Sequence, residues 1–293
     1  MPRNFHYCSV VSAFILGVLA SVALAVNYFI YKFPGNNYFP PNTMLIALLL
    51  FLGFLGSYIQ FGKASIVVKM TRELIYYFLV MSMIAFATNA VQYTPFTPVD
   101  EILIELEAAL NINIVAIVGW TQRYPLLTQI LVYIYDSLPY QMSVLPLIAI
   151  VIRKFSYLRE FYCLLLISAL LGFTIYYFYP TLAPATVLKS ELFSSAQYAT
   201  GIKFQEIHQH IPPSTIEGGM IAFPSFHAIW AWLCLYLMRW SRFIFLLLLP
   251  INSLLIVSCV LLGWHYPVDL LASAIVLLIT HGLCFHCAKS RIF

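Results

Sequence analysis

The chain has 293 residues, 62% of them hydrophobic and 9% charged, with a mean hydropathy of +0.90 and a formal charge of +4. Soluble domains carry about 25% charged residues, so this composition excludes a soluble globular protein, and so small a positive charge gives no footing for nucleic acid. Apolar runs long enough for the hydrocarbon core predict an all-α polytopic bundle, and the lack of short alternating segments excludes a transmembrane barrel. Eight spans fall at about 8–31, 43–61, 73–92, 126–152, 160–179, 224–238, 243–262 and 267–286, the sixth being short. Arg3, the apolar run after it and Ala23-Leu24-Ala25 also look like a cleavable leader. Apolar residues continue to Tyr31, so the expectation is a retained span. The segment 100–119 carries Asp100, Glu101, Glu105 and Glu107 among Ile and Leu. It is too acidic to cross and is read as a helix on the membrane surface or packed on the bundle. In the fourth span Pro139 predicts a kink, and Asp136 is expected to pair with tyrosine hydroxyls or to reach the site.

Basic residues orient the spans. With the N-terminus inside, the inner face holds Arg3, Lys63, Lys69, Arg72, Arg153, Lys154, Arg159, Arg239, Arg242, Lys289 and Arg291, eleven in all. The outer face holds four: Lys32, Arg123, Lys189 and Lys203. Both termini are therefore expected in the cytoplasm of a bacterial inner membrane or its equivalent. The long loop 180–222 would then face the periplasm or a lumen.

On that topology two helix beginnings share the outer face: Pro224-Ser225-Phe226-His227, and the turn Gly263-Trp264-His265-Tyr266-Pro267. Helix N-termini present unpaired N–H groups and a positive dipole end, which suit an anion. Pro224 and Pro267 fit the first helical turn, and Gly218 and Gly219 let backbone come close to a phosphate. A short inner turn near Arg239–Arg242 brings His227 and His265 to the same end of a hairpin, and Asp269 follows His265 by four positions on one helical face. A carboxylate on one imidazole nitrogen fixes the tautomer and leaves the other nitrogen the better nucleophile. The reading is a His265–Asp269 nucleophile with His227 as general acid. A lone interfacial histidine is normally structural, but this grouping is costly at a bilayer edge and points to function. His208-Gln209-His210 is read as a solvated loop rather than a metal site. Cys284-x-x-Cys287, beside His281 and His286, is read as apolar packing rather than zinc. All six cysteines fall in or at the ends of spans, which argues against a disulfide framework.

The strings FPSFHA (223–228) and GWHYPVDLLAS (263–273) resemble the second and third signature motifs of the type-2 phosphatidic-acid phosphatase superfamily. They are most similar to the branch containing inositol phosphorylceramide synthases and their bacterial relatives, with its Phe-Pro-Ser-x-His-Ala and His-Tyr-x-x-Asp strings. YPTLAPA (179–185) resembles that branch's proline-rich segment. The resemblance is specific over about 176–273. It implies a six-helix catalytic core at 73–293, with the loop 180–222 outside and an appended hairpin at 1–72. It also implies that His265 attacks phosphorus to form a phosphohistidine, that Asp269 orients it, and that His227 protonates the leaving oxygen and then deprotonates the incoming hydroxyl. Ser225 and the backbone around Gly218, Gly219, Pro224 and Phe226 would hold the phosphate. No metal and no cofactor are expected; the partners are a phospholipid or lipid phosphate and the bilayer.

The sequence departs from the superfamily at its cations. The first motif's Lys and Arg fall on Tyr176 and Ala183, and the third motif's Ser-Arg reads Ser258-Cys259. Losing such clamps costs several kcal/mol of transition-state stabilisation unless they are replaced. Lys189, Lys203, Arg123, His208 and His210 are the replacement candidates. A diester carries less charge than a monoester, so the gap leans toward phosphotransfer between lipids. The alternatives are a lipid phosphate phosphatase and a non-catalytic relative acting as a receptor or assembly factor. A transporter is disfavoured, because the ionisable groups cluster at one surface and no paired half-helices are evident.

Overall fold

A computed structural model describes residues 4–33, 39–215 and 218–289; Arg3 and Arg291 of the basic count lie outside the described residues. The described residues form thirteen α-helices and no strand. These are α1 (Phe5–Phe29), α2 (Thr43–Phe61), α3 (Ile66–Val91), α4 (Asp100–Ala109), α5 (Ile114–Gln122), α6 (Pro125–Tyr135), α7 (Leu138–Val151), α8 (Phe155–Phe178), α9 (Pro184–Leu188), α10 (Ser195–His208), α11 (Phe226–Leu237), α12 (Arg242–Leu261) and α13 (Pro267–Lys289). Six of them, α1, α2, α3, α8, α12 and α13, are long and apolar enough to cross a bilayer. In hydrocarbon every backbone group must bond within its own segment, and that makes helices of these runs. The chain is an integral membrane protein.

Two further spans are irregular. α6 and α7 together have the length and apolarity of a span and are bent by 46° at the break between them. The break comes at Asp136–Ser137, and Pro139 sits at the start of α7, where no N–H is needed. The expected kink is therefore real but lies just before the proline. α11 has 12 residues, about 18 Å at 1.5 Å per residue. It is extended by a 3₁₀ turn at Met238–Trp240 and packs among α7, α8, α12 and α13, so most of its surface meets protein.

α4 and α5 also have the length and apolarity of a span, bent by 78°. Their contacts place both ends at one face of the bundle. Val99 N–H donates to the Pro180 carbonyl at 2.9 Å, and the Gln122 amide donates to the Leu192 carbonyl. Pro180 and Leu192 belong to the same inter-helix segment, so both helices are fastened to it.

The core is α8, surrounded by α1, α3, α7, α11 and α13. α1 meets it through a stripe of small residues, Cys8, Ser12, Ala20 and Ala23 among them, which lets backbones approach closely. Asn27 of α1 donates to the Ala90 carbonyl of α3 at 3.0 Å. α3 and α8 both begin earlier than hydropathy predicts, because charged residues stand in their first two turns. Arg159 Nε and Nη2 reach Glu73 Oε1 at 3.0 and 2.7 Å, and Tyr162 Oη donates to the Glu73 carbonyl. A division after residue 72 thus falls inside α3.

Candidate active site

Ser225 starts α11. Its hydroxyl accepts from Ala228 N–H at 3.4 Å and lies 3.8 Å from Cys259 Sγ. Pro224 precedes this cap, so it stands outside the first helical turn where the sequence placed it. Pro267 does open α13. Between α12 and α13 the chain turns sharply: Trp264 and His265 N–H both donate to the Cys259 carbonyl at 3.0 Å. Gly263 has φ +81°, and a Cβ there would lie 2.7 Å from Val118 and 2.8 Å from Phe193. Only glycine fits, and it sets the direction in which His265 leaves the turn.

His265 Nδ1 lies 3.1 Å from Asp269 Oδ2, and the same oxygen accepts Tyr266 N–H at 3.0 Å. Both side chains are buried. Burial pushes the His265 imidazole down to about 4, partly offset by the Ala222 carbonyl beside it, so the ring is neutral at neutral pH. Ser273 Oγ donates to the Asp269 and Ser225 carbonyls at 2.6 and 3.1 Å, tying α13 to the cap of α11.

His227 lies on the first turn of α11. Its ring stacks on Tyr135 with centroids 4.3 Å apart, and the Tyr135 hydroxyl is 3.4 Å from Nδ1. The ring centroids of His227 and His265 are 6.2 Å apart, with the planes tilted by 54°. The two histidines and Asp269 are thus brought together as the spacing predicted. The arrangement offers a neutral imidazole backed by a carboxylate, with a second imidazole opposite.

The other expected residues are placed less uniformly. Gly218 has φ +77° and packs on Thr200, where a Cβ would come within 1.9 Å of Oγ1, while Gly219 faces open space. Phe226 turns its ring into the core against Phe173 at 4.8 Å. Ser225 is fully buried and its hydroxyl is engaged in capping. Of the five replacement cations, Lys189 and Arg123 are exposed. Lys203 is instead fully buried, and its ammonium donates to the Gly218 carbonyl at 3.3 Å. Burial pushes Lys203 down to about 8. His208 and His210 are half-buried, which corrects the solvated-loop reading. His210 stacks on Tyr31 at 5.6 Å, and burial, with His210 nearby, pushes His208 down to about 4. Asp136 is exposed and has no tyrosine partner among the described residues.

Three contributors escaped the sequence reading. Asp100 accepts from Leu182 N–H at 2.8 Å and from the Tyr266 hydroxyl at 3.0 Å. Glu107 accepts from Val268 N–H at 3.3 Å. α4 therefore fastens the 180–182 segment and the His265 turn together. Tyr135 is the third. The only signal available was the group of four acids, Asp100, Glu101, Glu105 and Glu107, among Ile and Leu, which was read as too polar to span and not as a clamp.

A cavity of about 600 Å³ runs from His227 and the 218–221 segment between α3, α7, α8 and α11, with walls such as Met81, Ile84, Met142 and Phe173. Its lining is chiefly apolar, as an acyl chain requires. Among the described residues no three or more His, Cys, Asp or Glu side chains are arranged so that they could hold a metal ion.

A family model described as the PAP2 superfamily matches residues 101–283, more than half of the chain, and the chain belongs to that superfamily. The match takes in α4 to α11, α12 and most of α13, including every residue of the His227–His265–Asp269 group. No curated protein and no solved structure gives a significant match.

Proposed function

We propose that this PAP2 superfamily member is a lipid phosphotransferase, close in chemistry to the inositol phosphorylceramide synthase branch, which moves a phosphorylated headgroup from a phosphodiester lipid to an acceptor hydroxyl. In the first step the His265 nitrogen remote from Asp269 attacks phosphorus, and the bond to the lipid oxygen breaks. His227 gives that oxygen its proton. Asp269 accepts the Nδ1 hydrogen bond throughout and stabilises the positive charge that the ring acquires. In the second step His227 takes the proton of the acceptor hydroxyl, whose oxygen attacks phosphorus and releases His265. Phosphate oxygens rest on the first N–H groups of α11, which have no intrahelical partner. The site faces the periplasm or a lumen, and the acyl chain of the substrate lies in the apolar cavity beside His227.

The reading is carried by one observation: a complete His–Asp pair and second histidine without a cation at Tyr176, Ala183 or Cys259. A phosphomonoester near neutral pH brings close to two charges and needs such clamps, whereas a diester brings one, within the capacity of helix N–H groups. Lys203 speaks for the second reading, a lipid phosphate phosphatase, because it is a buried cation bonded to the segment beside His227. The two are separated by comparing turnover of phosphatidic acid with that of a glycerophospholipid diester, a lipid alcohol being present. Headgroup transfer from the diester supports the proposal, and Ala183→Arg should then raise monoester hydrolysis relative to transfer. Efficient release of free phosphate with no transfer from any diester would return the protein to the phosphatases. No turnover of either class would leave the non-catalytic role.

A further inference from the structure

At the end of the bundle remote from His227 and His265, four of the six cysteines meet. Cys8 comes from α1, Cys163 from α8, and Cys284 and Cys287 from the last turns of α13. The Sγ atoms of Cys163 and Cys284 are 3.0 Å apart, about 1 Å longer than a disulfide bond. The Cys8 thiol is in contact with Cys163, Cys284 and Cys287. Cys8, Cys163 and Cys284 are buried and Cys287 is half-buried. Thiols often pack simply as small apolar groups, and two observations go beyond packing. The first is the close sulfur–sulfur approach between helices. The second is access: a cavity of about 330 Å³, lined by Glu160, Tyr236, His281 and Cys284, opens at this end of the bundle. Cys284 is one of its lining residues, and Glu160, Tyr236 and His281 give part of its otherwise apolar wall a polar character.

We propose that Cys163 and Cys284 form an oxidisable pair, which a peroxide converts to a disulfide tying α8 to α13. The Cys284 sulfur attacks the peroxide O–O bond, becomes a sulfenic acid and releases one water. The Cys163 sulfur then displaces the hydroxyl of that sulfenic acid as a second water, and the S–S bond forms. Two thiols and one hydrogen peroxide thus give one disulfide and two waters; the sulfurs lose two electrons and the peroxide gains them. Cys8, touching both sulfurs and Cys287, is placed to exchange with the new bond, so oxidation that begins at Cys287 can move inward by thiol–disulfide exchange with no further oxidant. The link closes a long loop in the unfolded chain, so it favours the folded state. It holds α13, which carries Asp269 at its other end, against the central helix.

The test uses purified, fully reduced protein in detergent, treated with hydrogen peroxide, alkylated with N-ethylmaleimide and digested without reductant. A Cys163–Cys284 linked peptide should dominate the cross-links seen by mass spectrometry and vanish on reduction. The melting midpoint should rise by roughly 5 °C or more on oxidation. Both effects should disappear in Cys284→Ala and persist in Cys287→Ala. Recovery of Cys163 and Cys284 as alkylated thiols from oxidised wild-type protein would overturn the proposal, as would an even scatter of cross-links among all the cysteines or a midpoint rise that survives in Cys284→Ala.

Discussion

Asp269→Asn isolates the charge of the carboxylate from its shape. Oδ2 of Asp269 accepts two N–H groups, from His265 Nδ1 and from Tyr266. The asparagine carbonyl oxygen can take that position and keep both bonds, and its NH₂ then falls where Oδ1 stands, a buried atom with no partner. The tautomer of resting His265 is therefore retained, and the fold loses only the cost of one buried, unpaired amide, about 1–3 kcal/mol. What disappears is the negative charge that faces the imidazole when it becomes positively charged on attacking phosphorus. Hydrogen bonds to a charged partner are roughly twice as strong as neutral ones, and the pair sits in a buried, low-dielectric site. A transition-state loss of about 3 kcal/mol corresponds to roughly 10²-fold in rate. The assay is headgroup transfer between a labelled diester lipid and a lipid alcohol in detergent, with the melting midpoint measured in parallel. kcat should fall roughly 10²-fold or more while KM changes little, because the carboxylate touches the nucleophile and not the lipid. A variant within threefold of wild type in kcat, and equally stable, would show that Asp269 does not support the nucleophile.

Four further outcomes are expected. Burial sets His265 at about 4, below the unfolded value of 6.5. Its contribution to stability is then complete above pH 6.5 and is lost as pH falls toward 4, and kcat/KM should hold its acid side down to about pH 5; a limb centred at 6.5 in the pH profile would contradict this. Tyr266→Phe removes the hydroxyl that Asp100 accepts, so the melting curve should show a loss of about 1–3 kcal/mol, with transfer falling by tenfold at most because the His265–Asp269 bond does not involve that hydroxyl. Activity should survive EDTA, and loss with rescue by a single divalent ion would instead make His208 and His210 candidate ligands. Cysteine introduced at exposed Ser195, after removal of the native cysteines, should react with an impermeant thiol reagent in intact cells, and labelling only after lysis would reverse the proposed orientation.

The helical membrane architecture was legible without tertiary structure because lipid imposes it residue by residue. A segment in hydrocarbon has to be apolar and helical, so α1, α2, α12 and α13 emerge close to their predicted limits. α3 begins earlier than predicted, through Lys69 and Arg72, and α8 through Arg159, which finds Glu73 of α3. A hydropathy window sees the charges and no pair. Likewise the acids of α4 are visible in the sequence, while their donors, Leu182 N–H and the Tyr266 hydroxyl, lie far along the chain.

His265 and Asp269 follow from local geometry alone, being four residues apart on either side of a helix start, and a short hairpin suffices to carry His227 to the same end of the bundle. Those facts belong to the sequence. The rotation of each helix about its axis does not, because it is set by packing against several neighbours at once. That rotation turned the Phe226 ring into the core, engaged Ser225 in capping and sent the Lys203 ammonium inward to the Gly218 carbonyl. It also laid Tyr135 against His227 and brought Cys163 within 3.0 Å of Cys284, 121 positions away. Spacing along one chain determines which groups share a helix face; only the packed bundle decides which faces meet, because close packing is a property of all the contacting side chains together and of no single segment.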